Sequence, residues 1–401
     1  MKVTGIYVYP VKSLRGITLT DTLLGPQGVR YDRRFMLLST KRSKEHKLQK
    51  MQLSEFPECA LFSQELVLDS KDGDAVVIRY HPAPKSKGSS LAEGQGDNNR
   101  IVMASDEQPL LRIPLNPALD TLQPLDVDLH GSPANSYRMG GPYDAWFSTC
   151  FGFDVVLAYI GDGRREVLGE SFKSKLAARP VLQPSSLLAR LLAFLVAAWT
   201  ACLAALGVSS AKKSEQTPWL TFTDCAPFLV ASESSLRNVS ARMSAGVDVP
   251  MYKFRPNIVV DGEGEEEWAE DFWGELTVAT EKSVEDEART PALSRSGSVS
   301  PSESSSQDSV RLLLTSNCAR CTSLNVDYTT GAKAQGELGE VLKRLSKDRR
   351  VDQGVKYSPV FGRYAFLDCA DDDGEVRIAV GDEVTVTQRN SERTTWDWPG
   401  L

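Results

Sequence analysis

The chain opens on a strand pattern. Val3, Ile6 and Val8 stand among aromatic and β-branched neighbours, and a strand is predicted from the first residues. Phe35-Met36-Leu37-Leu38 and Ala75-Val76-Val77-Ile78 are short apolar runs bounded by Gly, Pro and Asp. Such runs mark buried strands of a small barrel or sandwich. Helical spacing first shows at Asp144 to Phe151, through Trp146, Phe147, Cys150 and Phe151, before Val155-Val156-Leu157 returns to strand. Ser232 to Met243 reads as a helix, with Leu236, Val239 and Met243 on one face and Ser232 as N-cap. Ile258-Val259-Val260, Leu276-Thr277-Val278 and Arg311 to Thr315 predict further strands. Leu338, Val341, Leu342 and Leu345 predict a helix. Val376, Ile378 and Val380, then Val384 and Val386, alternate around Gly381-Asp382 and predict a β-hairpin. The sum is mainly β with some α, an α+β chain. It has no βαβ rhythm, no GxGxxG and no GxxxxGK[ST], so neither a Rossmann nor a P-loop nucleotide site is expected.

Four stretches break the pattern. Pro84 to Arg100 is polar and Gly/Ser-rich and reads as a flexible loop. Leu191 to Gly207 (LLAFLVAAWTACLAALG) carries no charge and lies between Arg190 and Lys212-Lys213. It is at the short end of the ~20 residues that span a bilayer. Three readings stay open for it: a core helix, an in-plane or re-entrant membrane anchor, or a gene-model artefact. A true crossing is disfavoured, because it would split one domain across the bilayer. Glu263, Glu265, Glu266, Glu267, Glu270 and Asp271 read as a solvated acidic loop. Lys282 to Asp308 is Ser/Pro-rich and too poor in apolar residues to order itself. The expected organisation is a module at 1–134 and a second at 135–390, followed by a tail at 391–401. The second module carries insertions at 187–210 and 282–309.

With 41% hydrophobic and 25% charged residues, the 401-residue chain is long enough to bury a sizeable core. Its 46 Lys and Arg against 53 Asp and Glu leave a net charge of −7, which argues against nucleic acid as partner. Seven scattered cysteines are not a disulfide framework and point to a reducing, intracellular compartment. Three histidines are too few for a His-rich metal site, and none stands in a setting that announces a catalytic triad. No apolar leader or Arg-rich presequence opens the chain, so folding is expected to start near residue 2.

The chemistry concentrates in Cys318-Ala319-Arg320-Cys321. Half a zinc site would need two more ligands. A redox pair would want a strand–CxxC–helix setting. A single thiolate beside Arg320 would suit a soft metal, since a neighbouring cation favours the thiolate. Two buried structural cysteines are the fourth reading. Lys12 and Ser13, Arg33-Arg34 and Arg255 stand at the edges of apolar strands. Singly each reads as a surface ion pair; together they would clamp an anionic cofactor.

YPVKS at 9–13, YDRRFML at 31–37, DCAPFL at 224–229, SESSL at 232–236, FRPNIVV at 254–260, CARC at 318–321 and KYSPVFGRYAFL at 356–367 follow in this order. In that combination the chain resembles the MOSC family, and within it is most similar to the mitochondrial amidoxime-reducing component group. The resemblance implies an N-terminal MOSC-type β-barrel module followed by a MOSC β-barrel core with flanking helices. It implies molybdenum held by one molybdopterin and one protein cysteine, with Cys321 as metal ligand and catalytic centre. Lys12, Ser13, Arg34 and Arg255 would hold the pterin and its phosphate. Asp224, Asn257, Arg320 and Tyr364 would line the same pocket, and Cys318 would serve packing. The implied activity is reduction of N-hydroxylated compounds such as amidoximes and hydroxylamines. Electrons would come from NADH through a flavin reductase and a cytochrome b5-type haem protein. The alternative is a carrier of the cofactor, or of sulfur for it, without turnover. Animal relatives carry an N-terminal membrane anchor, whereas the apolar segment here is internal. Any contact with the outer mitochondrial or endoplasmic reticulum membrane is therefore expected through 187–210.

Overall fold

The computed structural model describes residues 1–45, 47–84, 110–177, 218–280, 309–368 and 375–400. The polar loop from residue 85 onward, the apolar segment at 187–210 and the Ser/Pro-rich stretch up to residue 308 lie outside the described residues.

The main strands in chain order are β1 (Lys2–Val8), β2 (Phe35–Ser39), β3 (Phe62–Val67), β4 (Ala75–Tyr80), β5 (Leu110–Pro114), β6 (Gln123–Leu129), β7 (Ser132–Arg138) and β8 (Val156–Tyr159). They are followed by β9 (Phe228–Ser232), β10 (Ile258–Asp261), β11 (Trp273–Ala279), β12 (Ser309–Ala319), β13 (Val360–Leu367) and β14 (Glu383–Arg389). Three helices matter here: α1 (Gly141–Phe151), α2 (Glu170–Ala177) and α3 (Glu233–Ala241).

Seven strands close into a barrel in the order β10-β9-β13-β12-β11-β14-β1, and β1 pairs back onto β10. Every pairing in it is antiparallel except β9 with β10, which run parallel because α3 supplies the crossover between them. Val3, Ile6, Val230, Val260, Trp273, Leu276, Leu312 and Leu314 fill the interior. Alternation explains the choice: one face of each strand is apolar and buried, and the other meets flanking elements. Closure removes the free edges on which strands would otherwise aggregate.

A second core is built from β2 and β6–β8 in one sheet and β3–β5 in another. Phe35, Leu37, Phe62, Ile78, Ile113, Phe147 and Leu157 pack there, with α1 laid over Phe62 through Phe147 and Phe151. Val326 and Tyr328, just beyond the CARC motif, are buried in this same core. The cysteine loop is therefore held by both halves of the chain.

Three sequence expectations need correction. The strands on either side of Gly381-Asp382 do not form a hairpin with each other. Val376–Ala379 pairs with Asp21–Gly25, while β14 pairs with β11. The reason is that the Val380 and Gly381 amides donate to the carbonyls of Thr20 and Val3. β1 and Thr20, at the head of the Asp21–Gly25 strand, thus hold the turn, and the two strands part into different sheets. The acidic stretch is not a solvated loop throughout, because Glu270 and Asp271 are fully buried. Asp271 accepts from Arg349 Nη2 and Arg393 Nε, both at 2.7 Å, and its backbone carbonyl accepts from the buried Arg363. The predicted stripe at 338–345 is shorter than its pattern: a 3-10 turn, then a helix over Val341–Leu345 that buries Val341 and Leu345.

Glu270 Oε2 accepts from Ser235 Oγ at 2.7 Å, while Oε1 is buried with no partner among the described residues. Burial pushes the carboxyl up to about 7. The folded protein thus holds this proton more tightly than the unfolded chain does. Glu270 contributes most to stability below its ordinary value, and that contribution is lost as pH rises toward 7. Unfolding in urea at about pH 5 and about pH 8 should differ by up to roughly 3 kcal/mol more in the natural protein than in Glu270→Gln. Equal pH dependence in the two proteins would refute this.

Candidate functional site

The candidate site is assembled from turns rather than from strand interiors. Lys12 and Ser13 lie in the turn after β1, and Arg33 and Arg34 precede β2. Arg255 closes the turn before β10, Asp224 precedes β9, and the cysteines lie at the end of β12. Ser13, Arg33, His130 and Arg255 all adopt positive φ, at 73°, 46°, 62° and 55°. Such backbone is strained for side chains other than glycine and persists only where surroundings impose it, as at functional sites.

Lys12 Nζ donates to Asp224 Oδ1 at 2.5 Å and to the Phe222 carbonyl at 2.9 Å. His130 Nε2 meets the same carboxylate oxygen at 3.2 Å. The Asp224 side chain remains 49% exposed. Loss of solvent in the cleft works against its charge, yet the Lys12 ammonium and the His130 imidazole outweigh this and hold the carboxyl well below the usual range. The turn carrying Asp224 is fastened by Arg165, which is fully buried. Its guanidinium donates to the carbonyls of Leu129, Ser132, Thr221, Thr223 and Asp224. Burial pulls Arg165 down to about 10, so it stays charged at neutral pH.

On the other side, Arg33 donates to Asp32 at 2.5 Å and to Asn257 Oδ1 at 3.0 Å. Asn257 also accepts from the Leu229 amide and donates to the Tyr7 carbonyl, which ties β1, β9 and β10 together. The guanidiniums of Arg33 and Arg255 stand over the Tyr9 ring at 4.3 and 4.4 Å. Arg255 Nη1 donates to the Leu14 carbonyl. Lys253, also buried, reaches the carbonyls of Leu324 and Val326 in the cysteine loop, and Arg15 reaches that of Tyr328.

The two cysteines differ. Cys318 is buried: its sulfur accepts from Arg320 Nη1 at 3.0 Å and lies beside Tyr364, and burial pushes its thiol up. Cys321 is exposed, with Ser323 Oγ 3.2 Å from its sulfur. Arg320 spans the site from Cys318 to the Phe254 carbonyl, and its Nε is buried without a partner among the described residues. Tyr364 packs on Trp396, and Trp398 Nε1 donates to the His130 carbonyl, so the tail predicted at 391–401 underlies the cleft.

Arg15, Arg165, Lys253, Arg255 and Arg320 have no carboxylate partner among the described residues. Of these, Arg165 and Lys253 are buried and give their donors to backbone carbonyls, while Arg320 stands between the two cysteines of the motif.

The sequence model described as "MOSC N-terminal beta barrel domain" matches residues 1–154, and the one described as "MOSC domain" matches residues 217–385. The chain belongs to the MOSC family. Among its relatives is mitochondrial amidoxime-reducing component 1 of Homo sapiens, 29% identical over 41% of this chain and 38% of that protein. The Mus musculus counterpart is 30% identical over the same shares, and component 2 of Bos taurus is 29% identical over 36% and 34%. The chain therefore matches less than two-fifths of the length of these curated relatives. No helix among the described residues is long and apolar enough to cross a membrane.

Within this MOSC protein, Lys12, Asp224, Arg255, Asn257, Arg320 and Tyr364 are linked through shared partners. Ser13 turns its hydroxyl away, to the Met51 carbonyl. Arg34 reaches Tyr159 and the Gly161 carbonyl, and it is Arg33 that joins Arg255 and Asn257. Arg33 shares the sequence signal of the Arg33-Arg34 pair before a buried strand, whereas Arg165, Lys253 and His130 are site neighbours that the sequence does not mark.

Proposed function

We propose that this chain binds a molybdenum–molybdopterin cofactor through Cys321 and reduces N-hydroxylated compounds. Electrons would come from an NADH-dependent flavin reductase through a cytochrome b5-type haem protein. Membership of the MOSC family supports the cofactor, and the names of the amidoxime-reducing relatives support the substrate class. The observation that carries the reading is the exposed Cys321 thiol next to Arg320, which has no carboxylate partner among the described residues. The donor set fits the group: a thiolate for a soft metal, forked guanidiniums and an ammonium for phosphate, and a buried unpartnered Arg320 Nε beside the sulfur.

When bound, the cofactor supplies the two-electron chemistry that takes oxygen from nitrogen. The chain's residues bind and orient. Arg255, Arg33 and Lys12 hold the phosphate end, with Ser13 and Arg34 as further candidates for the pterin. Asn257 fixes Arg33, and Arg320 holds Cys318 and the 254 turn at a set separation. Tyr364, over Trp396, closes the floor against water.

The test is elemental analysis of the purified protein from a host that makes the cofactor, with an amidoxime assay in the presence of NADH, reductase and haem protein. Stoichiometric molybdenum with amidine formation is expected. A protein free of molybdenum would sink the proposal. Metal without turnover would move the function to a cofactor carrier.

A further inference from the structure

Positive charge gathers on one hairpin of this acidic chain. Residues 41–50 (KRSKEHKLQK) hold five Lys and Arg against one Glu, while the whole chain has a net charge of −7. The stretch joins β2 to a short strand, Gln49–Lys50, that pairs antiparallel with it. Lys41, Arg42, Lys44 and Lys47 are exposed, and Leu48 shows 40% of its surface among them. Of the five cations only Lys47 has a carboxylate partner among the described residues, Glu45 at 2.6 Å. Lys41 and Arg42 are set on aromatic rings instead. Lys41 Nζ lies 3.8 Å from the centre of the Phe153 ring, and Arg42 Cζ lies 5.0 Å from that of Phe56. A ring face steadies a cation without cancelling its charge. The two side chains are thus held in place with their charge still available to a partner.

The hairpin rises from the edge of the candidate site. Ser13, next to Lys12, donates its hydroxyl to the Met51 carbonyl at 2.7 Å, just after the returning strand. Lys50 stands near enough to His130 to oppose charge on its imidazole. Met51 packs in the same core as Val326 and Tyr328, which continue the cysteine loop. A body seated on the hairpin therefore stands beside the site. Taking the oxygen of an N–OH group away as water consumes two electrons and two protons. A haem iron gives one electron as it passes from ferrous to ferric, so a haem donor must dock and leave twice in each turnover. Charge-steered contacts suit such brief encounters, because they speed approach more than they tighten binding.

We propose that the basic hairpin at residues 40–50 is the docking surface for an acidic face of the haem electron donor. The inference rests on the reductase reading. An anionic membrane is the other surface a basic loop could meet. A single exposed leucine gives little to bury in lipid, and lying on a bilayer would cover the edge of the site that donor and substrate must reach.

The experiment uses the cofactor-loaded full chain with a soluble cytochrome b5 haem domain and its reductase. Lys41→Glu/Arg42→Glu/Lys44→Glu should raise the KM for the haem domain about tenfold or more at low ionic strength. The loss of rate that salt causes in the natural protein should flatten in this variant. Reduced methyl viologen, a small donor that needs no docking surface, should drive amidoxime reduction equally well in both proteins and so shows that the variant is folded and loaded. The control is Lys343→Glu/Lys347→Glu/Arg350→Glu, three exposed cations outside the hairpin. It makes the same change in net charge and should leave that KM within about twofold. An unchanged KM in the hairpin variant overturns the inference, and so does an equal rise in the control. If the KM is unchanged and the hairpin variant alone fails to sediment with phosphatidylserine vesicles, the patch belongs to a membrane. In each of these cases viologen-driven turnover leaves the reductase reading standing. A natural protein that viologen cannot drive overturns both.

Discussion

Cys321→Ala is expected to lose all of its molybdenum and all amidoxime reduction while folding as the natural protein does. The thiol is exposed, and the Ser323 hydroxyl is its one hydrogen-bond partner among the described residues, so its removal leaves no buried void there. Substitutions of that kind change stability by no more than about 0.5 kcal/mol. Cys318 is the contrast. Its sulfur is buried and accepts from Arg320, so Cys318→Ala leaves a void and frees a guanidinium nitrogen. That variant should lose stability but keep metal. Metal content and urea unfolding of the two variants together check the assignment. A Cys321→Ala protein that retained molybdenum would defeat it.

Arg165→Met should cost about 3–5 kcal/mol in urea unfolding, the largest stability loss expected in the molecule. Methionine fills much of the same volume, so the loss is one of hydrogen bonds and not of packing. Five carbonyls from two segments, 129–132 and 221–224, lose their donor where water has no access. Each unsatisfied buried acceptor costs about 1–3 kcal/mol, and partial relaxation keeps the total below the sum. The turn that presents Asp224 to Lys12 should loosen as well, so cofactor retention should drop beside stability. Arg165→Lys should recover part of it, because an ammonium has three donors at one point where the guanidinium has a fork of five. A loss under about 1 kcal/mol in Arg165→Met would mean that the carbonyls find other donors.

The strands were readable because burial writes its period into the sequence. Lys2–Val8, Phe35–Ser39, Ile258–Asp261 and Ser309–Ala319 fall where apolar runs predicted them. What failed was pairing. Gly381-Asp382 has the composition of a hairpin turn, but the Val380 and Gly381 amides bond to Thr20 and Val3, hundreds of residues away in sequence. No local pattern carries that information. The acidic stretch failed for the same reason. Glu270 and Asp271 resemble their solvated neighbours, and the arginines that neutralise Asp271 follow at 349 and 393. In the site, the cysteine motif and most of the cations were legible as residue types out of place. His130 was not, because its partner Asp224 and its anchor Trp398 are both distant.

The closure of the barrel by β1 sets the order in which this protein can assemble. Lys2 is registered on Asp261 and on Glu383, so β1 waits for strands hundreds of residues later in the chain. Contacts this remote in sequence close large loops before any packing rewards them, which slows folding and leaves apolar strands uncovered meanwhile. The cation cluster and the cysteine loop do not meet until that step is complete. A ligand that needs both the cation cluster and the cysteine loop would therefore find its site only after the barrel has closed.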